Sequence, residues 1–448
     1  MRLSSVPRLA ALLIALLAAA PPADAQPSPR IVHGTLTSDH PTSGALLAVD
    51  PTDPTDLEGL CSGTLIGCRT FLTAAHCVCP EDVENAAGCL AEGTTDPSAL
   101  RVFLPNGGIQ AVESVAIDPD YSFAEHGDAA VVRLATIGGG ITPSAINTVG
   151  RLADGSRGTI VGFGSTGGPP FLASDYGVKR DGKVTTGPCA DDVNASAHVC
   201  WNYDGADAST CSGDSGGPLF ADFGAGPVVA GITSGGESFD CEPPDQVFDT
   251  DVYVVRDWIQ LQLANDSTGP CGSLAPIGHE GAAMKSGSAT LTPAEPNLVV
   301  DFDVPAGTRL LRVVLNGQEF GGSGFQRQAN DIDLSVKPVV ASSAACEDLG
   351  TSVYGDCEIS LPSAGAWQAV ATLVDGVTAT TQLTVSTFAA SLAGDANCDD
   401  RLSAPDLIAL ATLIGHADPP PCPNADADGD GMMDAADQPL IVQNLFAQ

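Results

Sequence analysis

Three short motifs, widely separated along the chain, limit what it can fold into. They read LTAAHC at residues 72–77, GDAAVV at residues 127–132 and GDSGGP at residues 213–218. The motifs supply His76, Asp128 and Ser215. A serine becomes a nucleophile when an imidazole takes its proton and a carboxylate orients that imidazole, with each pair within hydrogen-bonding distance. The fold must therefore bring three distant segments to one place.

The chain order His, Asp, Ser is also the order found in the chymotrypsin-like serine peptidases, and the three motifs resemble that family. The resemblance covers about residues 31–264. It implies a protease domain of two β-barrels that hydrolyses peptide bonds through an acyl-enzyme. Ser215 would be the nucleophile, His76 the general base and Asp128 the group that orients the imidazole. The N–H groups of Gly213 and Ser215 would form the oxyanion hole.

The pattern of apolar segments agrees with a mostly β protein. Short apolar segments occur at residues 45–49, 101–104, 112–117, 159–163 and 228–233, separated by turns rich in glycine and proline. Such spacing is typical of all-β barrels. Residues 251–263 instead have helical apolar spacing and resemble the closing helix of the family. We therefore assign residues 31–266 to the protease domain.

A basic residue followed by Ile-Val suggests how the enzyme would be activated. Ile31 directly follows Arg30. In the family that the chain resembles, a zymogen is cut before such a pair, and the new α-ammonium binds the aspartate that precedes the nucleophile. The resemblance thus implies cleavage after Arg30 and an ion pair between Ile31 and Asp214. A buried carboxylate is costly without such a partner.

The specificity pocket leaves two interpretations open. By the resemblance it would be formed by Ser209, Ser234 and Gly236. A neutral serine at position 209 favours apolar or aromatic substrate side chains over arginine and lysine. Glu242, Asp245 and Gln246 lie near where the family lines its pocket, and one of the acidic residues could return a negative charge to it. Basic specificity therefore remains an alternative.

The even number of cysteines, 14, and the lack of a paired zinc-type spacing favour disulfides formed in an oxidising compartment. The resemblance implies the pairs Cys61–Cys77, Cys189–Cys200 and Cys211–Cys241. Cys346 and Cys357 are close enough in sequence to bridge a loop, and Cys398–Cys422 would staple the last module. For Cys68, Cys79, Cys89 and Cys271, three pairings remain possible.

The N-terminus predicts export. Arg2 and Arg8 precede an apolar run at residues 9–20, and small residues at 23–25 suggest a cleavage site. This pattern predicts a secretory signal peptide at residues 1–25, followed by a short propeptide at 26–30. A signal anchor is the alternative. The net charge of −37 disfavours a nucleic-acid or anionic-membrane partner. We expect a secreted protein, or one attached to the cell surface.

Alternating apolar segments continue behind the protease region, at residues 289–300, 310–315, 332–336, 357–361, 367–374 and 380–385. They predict a β-sandwich over residues 275–388. The sequence NDIDL at residues 330–334 and AGAW at residues 364–367 resemble the bacterial pre-peptidase C-terminal domain. Residues 268–275, which contain Gly, Pro and Ser, form the junction with the protease domain.

Oxygen-bearing residues repeat twice near the C-terminus, at positions 1, 3, 5, 7, 9 and 12 of a loop. The first set is Asp395, Asn397, Asp399, the Arg401 carbonyl, Ser403 and Asp406. The second is Asp426, Asp428, Asp430, the Met432 carbonyl, Asp434 and Asp437. Calcium prefers several oxygen ligands at this spacing. A helical apolar stretch follows each loop, so residues 392–448 resemble a small α-helical type I dockerin repeat. The alternative is an acidic disordered tail.

These features predict a secreted modular serine endopeptidase, made as a zymogen, that needs no cofactor for catalysis and binds structural calcium at its C-terminus. The dockerin resemblance implies a cohesin-like or cell-envelope partner. Two alternatives stay open. One is an adhesive scaffold whose protease domain is catalytically vestigial, and the other is a regulatory protease with one narrow target.

Overall fold

The computed structural model of this chain describes twelve stretches of it. These are residues 31–80, 82–136, 139–168, 175–269, 271–272, 274–277, 285–322, 327–390, 394–396, 403–414, 427 and 435–445. The predicted signal peptide, the propeptide with Arg30, and the Cys398–Cys422 pair lie outside the described residues.

The first barrel is built by strands near the N-terminus. The strands of this part are β1 (Thr35–Leu36), β2 (Ser43–Val49), β3 (Leu57–Gly67), β4 (Thr70–Thr73), β5 (Leu100–Leu104), β6 (Gly108–Ile117) and β7 (Ala130–Leu134). Strands β2 to β7 close into a barrel in the order β2-β3-β4-β7-β6-β5. Its interior is filled by buried apolar side chains such as Leu46, Phe71 and Val132. Two 3₁₀ turns (Ala75–Cys77 and Pro97–Ala99) and the helix α1 (Ala86–Glu92) lie between β4 and β5.

A second sheet follows. Its further strands are β8 (Arg157–Gly162), β9 (Arg180–Thr185), β10 (His198–Tyr203), β11 (Pro218–Asp222), β12 (Pro227–Gly236) and β13 (Asp245–Asp251). They pair with β1 in the order β1-β9-β8-β11-β12-β13-β10. Among the described residues this sheet is an open path of seven strands, where the resemblance implied a second barrel. The helix α2 (Val252–Leu263) begins after β13 because the Asp251 side chain accepts the Tyr253 N–H at its N-terminus.

The additional β region forms two larger sheets and a small third sheet. Its strands are β14 (Leu274–Pro276), β15 (Lys285–Leu291), β16 (Asn297–Val304), β17 (Leu310–Gly317), β18 (Phe320–Gly321), β19 (Gln328–Ala329), β20 (Asp331–Pro338), β21 (Cys346–Asp348), β22 (Gly355–Ser360), β23 (Gly365–Asp375) and β24 (Ala379–Ala390). One of the larger sheets has the order β14-β24-β17-β22, with β15 also on β24, the other has the order β16-β23-β20-β21, and in the third sheet β18 pairs only with β19. We call residues 285–390 the C-terminal β region.

Strand β16 shows why this region folds as it does. Its burial alternates strictly, with Leu298, Val300 and Phe302 among the inward residues and Asp301 among the outward ones. Alternate side chains of a strand point to opposite faces, so the apolar face packs into the core and the polar face meets water. The segment 289–300, read from sequence as one unit, is divided by a turn in which Thr292 and Glu295 pair.

The C-terminal β region and the first barrel share one hydrophobic core. Leu47 and Phe103 of the barrel belong to the same buried cluster as Leu315 and Tyr354 of the β region. The rings of Phe103 and Tyr354 have centroids 5.2 Å apart. The two parts are therefore packed against each other as one body and are not separated by an open linker.

Two short helices, α3 (Ala404–Leu413) and α4 (Asp437–Leu445), lie near the C-terminus. Leu410 of α3 and Ile441 of α4 are fully buried in one small cluster with Ala396. No helix in the described stretches is both long enough and apolar enough to cross a membrane.

Every described cysteine is in a disulfide. The six bonds are Cys61–Cys77, Cys68–Cys271, Cys79–Cys89, Cys189–Cys200, Cys211–Cys241 and Cys346–Cys357. The pairing that the sequence left open is thus Cys68 with Cys271 and Cys79 with Cys89. The first of these ties the junction behind α2 back to the end of β3.

Candidate active site

His76 is held by local structure on both sides. It lies in the 3₁₀ turn Ala75–Cys77 just after β4, and the neighbouring Cys77 is bonded to Cys61 of β3. Its backbone N–H donates to Asp128 Oδ1 at 3.0 Å, and its ring Nδ1 lies 2.7 Å from Asp128 Oδ2. The imidazole is therefore fixed at both its backbone and its ring, and Nε2 is left to face the site.

Asp128 is fully buried immediately before β7, at the point where the first barrel meets the second sheet. Besides the two contacts with His76, its Oδ2 accepts the Ser234 hydroxyl at 2.5 Å. Burial raises the pKa of this carboxyl, but the charge and hydrogen bonds of His76 and the Ser234 bond outweigh burial and leave the pKa lowered. Asp128 is thus a carboxylate at neutral pH.

The pKa of His76 is shifted in the opposite direction to that of its partner. Burial lowers the pKa of the imidazole, while the nearby charge of Asp128 and the hydrogen bond to it raise the pKa. The raising effects are the stronger, so the pKa lies above its ordinary value of 6.5. An imidazole with such a pKa can accept a proton from a hydroxyl and hold it while the chemistry proceeds.

Ser215 is seated between strands of the two sheets. Its carbonyl oxygen accepts the N–H of Ser62 in β3 at 2.8 Å and lies 3.8 Å from Cys77 Sγ. The next N–H, of Gly216, donates to the Thr233 carbonyl of β12 at 2.7 Å. Because Cys77 is the neighbour of His76, these contacts bring the predicted nucleophile to the predicted base.

The backbone of Gly213 has the left-handed conformation that glycine tolerates best, with φ of +88°. Its carbonyl accepts the Ser62 hydroxyl at 2.9 Å. Within the described stretches, neither the Gly213 N–H nor the Ser215 N–H donates to a protein acceptor. Both groups therefore remain available for an oxygen of a bound molecule.

Asp214 is buried, and its carboxylate accepts backbone N–H groups. Oδ1 accepts from Gly164 at 2.8 Å and Oδ2 from Cys211 at 2.9 Å. Burial raises the pKa of this carboxyl to about 7, against the lowering effect of those two bonds and of Arg180. No ion pair joins it to Ile31 in the described part of the chain.

Ile31 is packed among residues of the second sheet. Its side chain is buried in a cluster with Ile160, Trp201 and Leu219. The nitrogen of Ile31 forms a peptide bond with Arg30 in the uncut chain, so it carries no ammonium charge. The pair of Ile31 with Asp214 therefore belongs to a cleaved form of the chain and stays a prediction.

A cavity of about 220 Å³ opens beside Ser215. Its walls are formed by Thr210, Cys211, Ser212, Ser215, Thr233, Ser234, Gly235, Gly236, Ser238, Phe239, Cys241, Asp245 and Val247. Ser234 and Gly236 line it as the resemblance implied. Asp245 also lines it, and its Oδ1 accepts the Ser238 N–H at 2.8 Å.

Ser209, which the resemblance assigned to the pocket, is not among the residues that line this cavity. It is completely buried, and its N–H donates to the Val32 carbonyl at 3.0 Å in a short antiparallel bridge. That bridge holds the residue behind the wall of the cavity. The acidic residue that the sequence offered as an alternative, Asp245, is among the residues that line the cavity, although most of its side chain is buried.

Part of the predicted calcium-binding module is described. Asp406 Oδ1 accepts the Ala396 N–H at 3.0 Å, and Asp437 Oδ1 accepts the Ala427 N–H at 2.7 Å. The last ligand of each predicted loop thus bonds to its second residue, in the same way in both repeats. Asp395 and Ser403 are also described. The remaining predicted ligands lie outside the described residues: Asn397, Asp399, Arg401, Asp426, Asp428, Asp430, Met432 and Asp434.

Comparison with known proteins agrees with this geometry. Residues 38–259 match the family model Trypsin. Brachyurin of Leptuca pugilator is 31% identical over 217 residues, which are 45% of this chain and 87% of that protein. Trypsin-1 of Astacus astacus is 28% identical over 217 residues, 45% of this chain and 86% of that protein. Chymotrypsin of Phaedon cochleariae is 29% identical over 247 residues, 53% of this chain and 83% of that protein.

The fold and the matched relatives define the class of this protein as a serine endopeptidase. The chain belongs to the trypsin family. Family membership favours an enzyme over the adhesive scaffold, and six disulfides in the described stretches are typical of an extracellular protein. The comparisons match the protease region and leave the C-terminal β region without an identified family.

Proposed function

We propose that this enzyme is a secreted endopeptidase in which Ser215, His76 and Asp128 form the catalytic unit. The observation that carries the proposal is the 2.7 Å contact of His76 Nδ1 with Asp128 Oδ2, in a site where Ser62 holds the Ser215 loop against the His76 loop. With Nδ1 bound to the carboxylate, Nε2 of the imidazole is the nitrogen that faces the serine hydroxyl.

In the proposed reaction, Ser215 Oγ attacks the scissile carbonyl carbon while His76 takes the hydroxyl proton. The carbonyl oxygen becomes an oxyanion that accepts the N–H groups of Gly213 and Ser215. Loss of one such donor costs about 3 kcal/mol of transition-state stabilisation. His76 then gives its proton to the leaving amine, which leaves an acyl group on Ser215. Water releases that group by the same steps in reverse.

The test uses the full chain, cleaved after Arg30 and incubated with a mixed peptide library. Cleavage should stop with a serine-directed covalent inhibitor and in the variant Ser215→Ala. The matched control is Ser98→Ala, an exposed serine of the first barrel that lies outside the site and whose hydroxyl bonds only to Asp96, and it should remain active. If processed and folded protein cleaves no peptide, or if Ser215→Ala cleaves as fast as the wild type, the proposed catalytic unit is wrong.

We infer that the enzyme is made as a zymogen and that the Ile31 ammonium joins Asp214 after cleavage at Arg30. The support is the electrostatic state of Asp214, whose buried carboxyl has a pKa of about 7 in the uncut chain. An ammonium beside it would favour the charged form and lower that pKa. Arg30→Gln should block activation by a trypsin-like protease. Normal activity of an uncut Arg30→Gln chain would contradict this inference.

For specificity, we propose that Asp245 makes the pocket favour arginine or lysine over apolar side chains. Asp245 reaches the cavity wall, whereas the neutral Ser209 lies behind it. A carboxylate in a confined cavity binds a guanidinium or ammonium strongly. Asp245→Asn should lower kcat/KM for peptides with a basic residue before the scissile bond by at least tenfold. Glu242→Gln is the matched control, and an unchanged preference in Asp245→Asn would favour the apolar interpretation.

We further propose that the two C-terminal loops bind structural calcium. The support is the repeated bond from the last aspartate to the second residue of each loop, together with the near-complete burial of Asp395, Asp406 and Asp437. Buried carboxylates are stable when a cation or hydrogen bonds compensate them. Calcium should raise the unfolding temperature of the full chain, and Asp395→Asn should weaken this effect. No shift with calcium would refute the proposal.

The dockerin-like repeat also suggests attachment to a cohesin-like or cell-envelope partner. This part of the proposal predicts that the full chain, in calcium, sediments with envelope fragments and that a chelator releases it. The regulatory alternative, one narrow protein target, differs only in substrate range. Rapid digestion of casein would argue against it.

A further inference from the structure

Tyr176 lies directly against the backbone that forms the proposed oxyanion hole. A Cβ atom placed on Gly213 would be 2.8 Å from Tyr176 Cδ1 and 2.9 Å from Cε1. The ring therefore packs on Gly213 so closely that no side chain fits between them. Hydrogen bonds of the phenol with the Ser212 and Ser165 side chains add to this contact. Any movement of Tyr176 thus changes the surroundings of the Gly213 N–H.

The segment that carries Tyr176 is bound by the C-terminal β region rather than by the protease region alone. The Tyr176 carbonyl accepts the Glu319 N–H at 3.0 Å, and the Gly177 carbonyl accepts from Asn316 Nδ2 at 2.8 Å. Both the N–H and the carbonyl of Lys179 bond to the Gln382 side chain, at 2.8 and 3.2 Å. Four backbone groups of residues 176–179 are therefore held from outside the protease region.

The two backbones also approach each other closely. A Cβ atom on Gly177 would lie 2.2 Å from the Gly317 carbonyl oxygen, and Gly177 has a φ of +90°. Position 177 therefore needs glycine both for its conformation and for the contact. The bonding side chains are themselves fixed, because Asn316 Nδ2 also donates to Gln382 Oε1 at 2.8 Å. This arrangement makes the contact rigid rather than adaptable.

Glu319 anchors the same edge of the β region in the first barrel. Its side chain is buried, and its Oε1 accepts the Gly59 N–H at 2.7 Å and the Tyr354 hydroxyl at 2.8 Å. Gly59 lies in β3, two residues before the Cys61 that is bonded to Cys77. The β region thus contacts the strand beside the His76 loop and the segment behind the Ser215 loop.

We propose that Tyr176 is a positioning residue for the oxyanion hole and that the C-terminal β region holds it in place. The β region then contributes to catalysis by holding Tyr176 against Gly213. This inference rests on the proposed role of the Gly213 N–H. Peptide hydrolysis depends steeply on the placement of such a donor, since a misplacement of about 1 Å can cost on the order of a hundredfold in rate.

The experiment compares variants of the full, activated chain. Tyr176→Ala removes the ring, and the double variant Asn316→Ala with Gln382→Ala removes the side chains that hold residues 177 and 179. The measurements are kcat and KM for a peptide amide, and the inhibition constant of a peptide aldehyde, which forms an oxyanion on the serine. Both variants should lower kcat at least tenfold and weaken aldehyde inhibition by a similar factor, with little change in KM.

The matched control is Asn106→Ala. Asn106 Nδ2 bonds to Ser386 of the β region at 3.2 Å and is buried at the same interface, but it does not contact residues 176–179. It should keep the kcat and aldehyde inhibition of the wild type. If these residues acted on stability alone, the unfolding temperature would fall in all of these variants, and kcat would not fall selectively while KM stayed the same.

Two outcomes distinguish this inference from the proposed function. If the wild type is active, Ser215→Ala is inactive, and the folded double variant has the kcat of Asn106→Ala, the inference fails while the catalytic assignment stands. If Tyr176→Ala does not fold, Tyr176→Phe and the double variant still decide. In Tyr176→Phe the ring remains and the bond to Ser212 is lost, so we expect a several-fold fall in kcat, and an unchanged kcat in both would overturn the inference.

Discussion

The Ser234 hydroxyl donates to Asp128 Oδ2 at 2.5 Å, to the same oxygen that contacts the His76 ring. Ser234 is in β12 of the second sheet, whereas Asp128 precedes β7 of the first barrel. The bond therefore joins the two halves of the protease region at the carboxylate. It also places a wall residue of the substrate cavity in contact with the group that orients the base.

The first prediction concerns this bond. Ser234→Ala should lower kcat/KM for peptide substrates by about tenfold, because a hydrogen bond to a charged group contributes about 1.5–3 kcal/mol. The measurement is steady-state hydrolysis of a peptide amide. Thr250→Val is a matched control, since the Thr250 hydroxyl bonds to the Asp128 carbonyl and not to its carboxylate. Equal losses in both variants would contradict a specific effect on the carboxylate.

A second prediction concerns pH. His76 must be neutral to accept a proton, and its pKa is raised above 6.5 by Asp128. The value of kcat/KM should therefore increase with pH through a midpoint above 6.5 and level off at higher pH. Asp128→Asn should move this midpoint lower and reduce kcat by about 10⁴-fold. A profile of kcat/KM between pH 5 and pH 9 checks both expectations. An unchanged midpoint in Asp128→Asn would show that another group controls the rise of kcat/KM with pH.

Glu319 provides a third prediction, on stability. Burial raises the pKa of its carboxyl from 4.5 to about 7. Between these two pH values the unfolded chain has lost the proton and the folded chain retains it, so the free energy of unfolding falls as pH rises. Glu319→Gln keeps an oxygen that can accept from Gly59 and Tyr354. Its free energy of unfolding should exceed that of the wild type by about 3 kcal/mol at pH 8.

At pH 4 the same variant should differ little from the wild type, because the carboxyl is then protonated in both states. Urea unfolding at the two pH values is the measurement. The exposed Glu295→Gln is the control and should follow the wild type at both. A Glu319→Gln chain less stable than the wild type at pH 8 would mean that the carboxylate is held charged and well compensated.

The fourth prediction concerns two of the six disulfides, which close loops of very different length. Cys68–Cys271 spans 203 residues and Cys346–Cys357 spans 11. In the chain-entropy description, closing the longer loop stabilises the fold by on the order of 5 kcal/mol and the shorter by about 3 kcal/mol. Replacing both cysteines of each pair by alanine should lower the free energy of unfolding in this order. A larger loss for Cys346–Cys357 would reverse the expectation.

The local motifs of the sequence were enough to predict that His76 and Asp128 lie together in the site. His76, Asp128 and Ser215 stand in short motifs, and none of the three lies on a strand: His76 is in the turn after β4, Asp128 precedes β7 and Ser215 precedes β11. Ser209, which the resemblance assigned to the pocket, is buried in a backbone bridge with Val32, and its role in specificity stays a prediction. Asp245, which lines the cavity, was one of the two acidic residues that the sequence offered as an alternative.

Tyr176 was missed altogether. It lies in a stretch rich in glycine, proline and serine that carries no periodicity, and its carbonyl bonds to Glu319, more than 140 positions away. Nothing in a single sequence indicates that a tyrosine in such a stretch packs against a glycine 37 residues later. The contact between the protease region and the C-terminal β region likewise depends on tertiary packing. The alternation of apolar and polar residues along each strand does not indicate which elements pack against each other.

The shared core of Phe103 and Tyr354 has a calorimetric consequence. Two modules joined by a flexible linker melt independently, whereas two modules that bury apolar surface on each other gain or lose that surface together. Heating should therefore give one cooperative transition for residues 31–390, with a single unfolding enthalpy. A nick between Cys271 and Leu274 should still leave one transition, because the pieces remain docked until they unfold, but its midpoint should then depend on protein concentration.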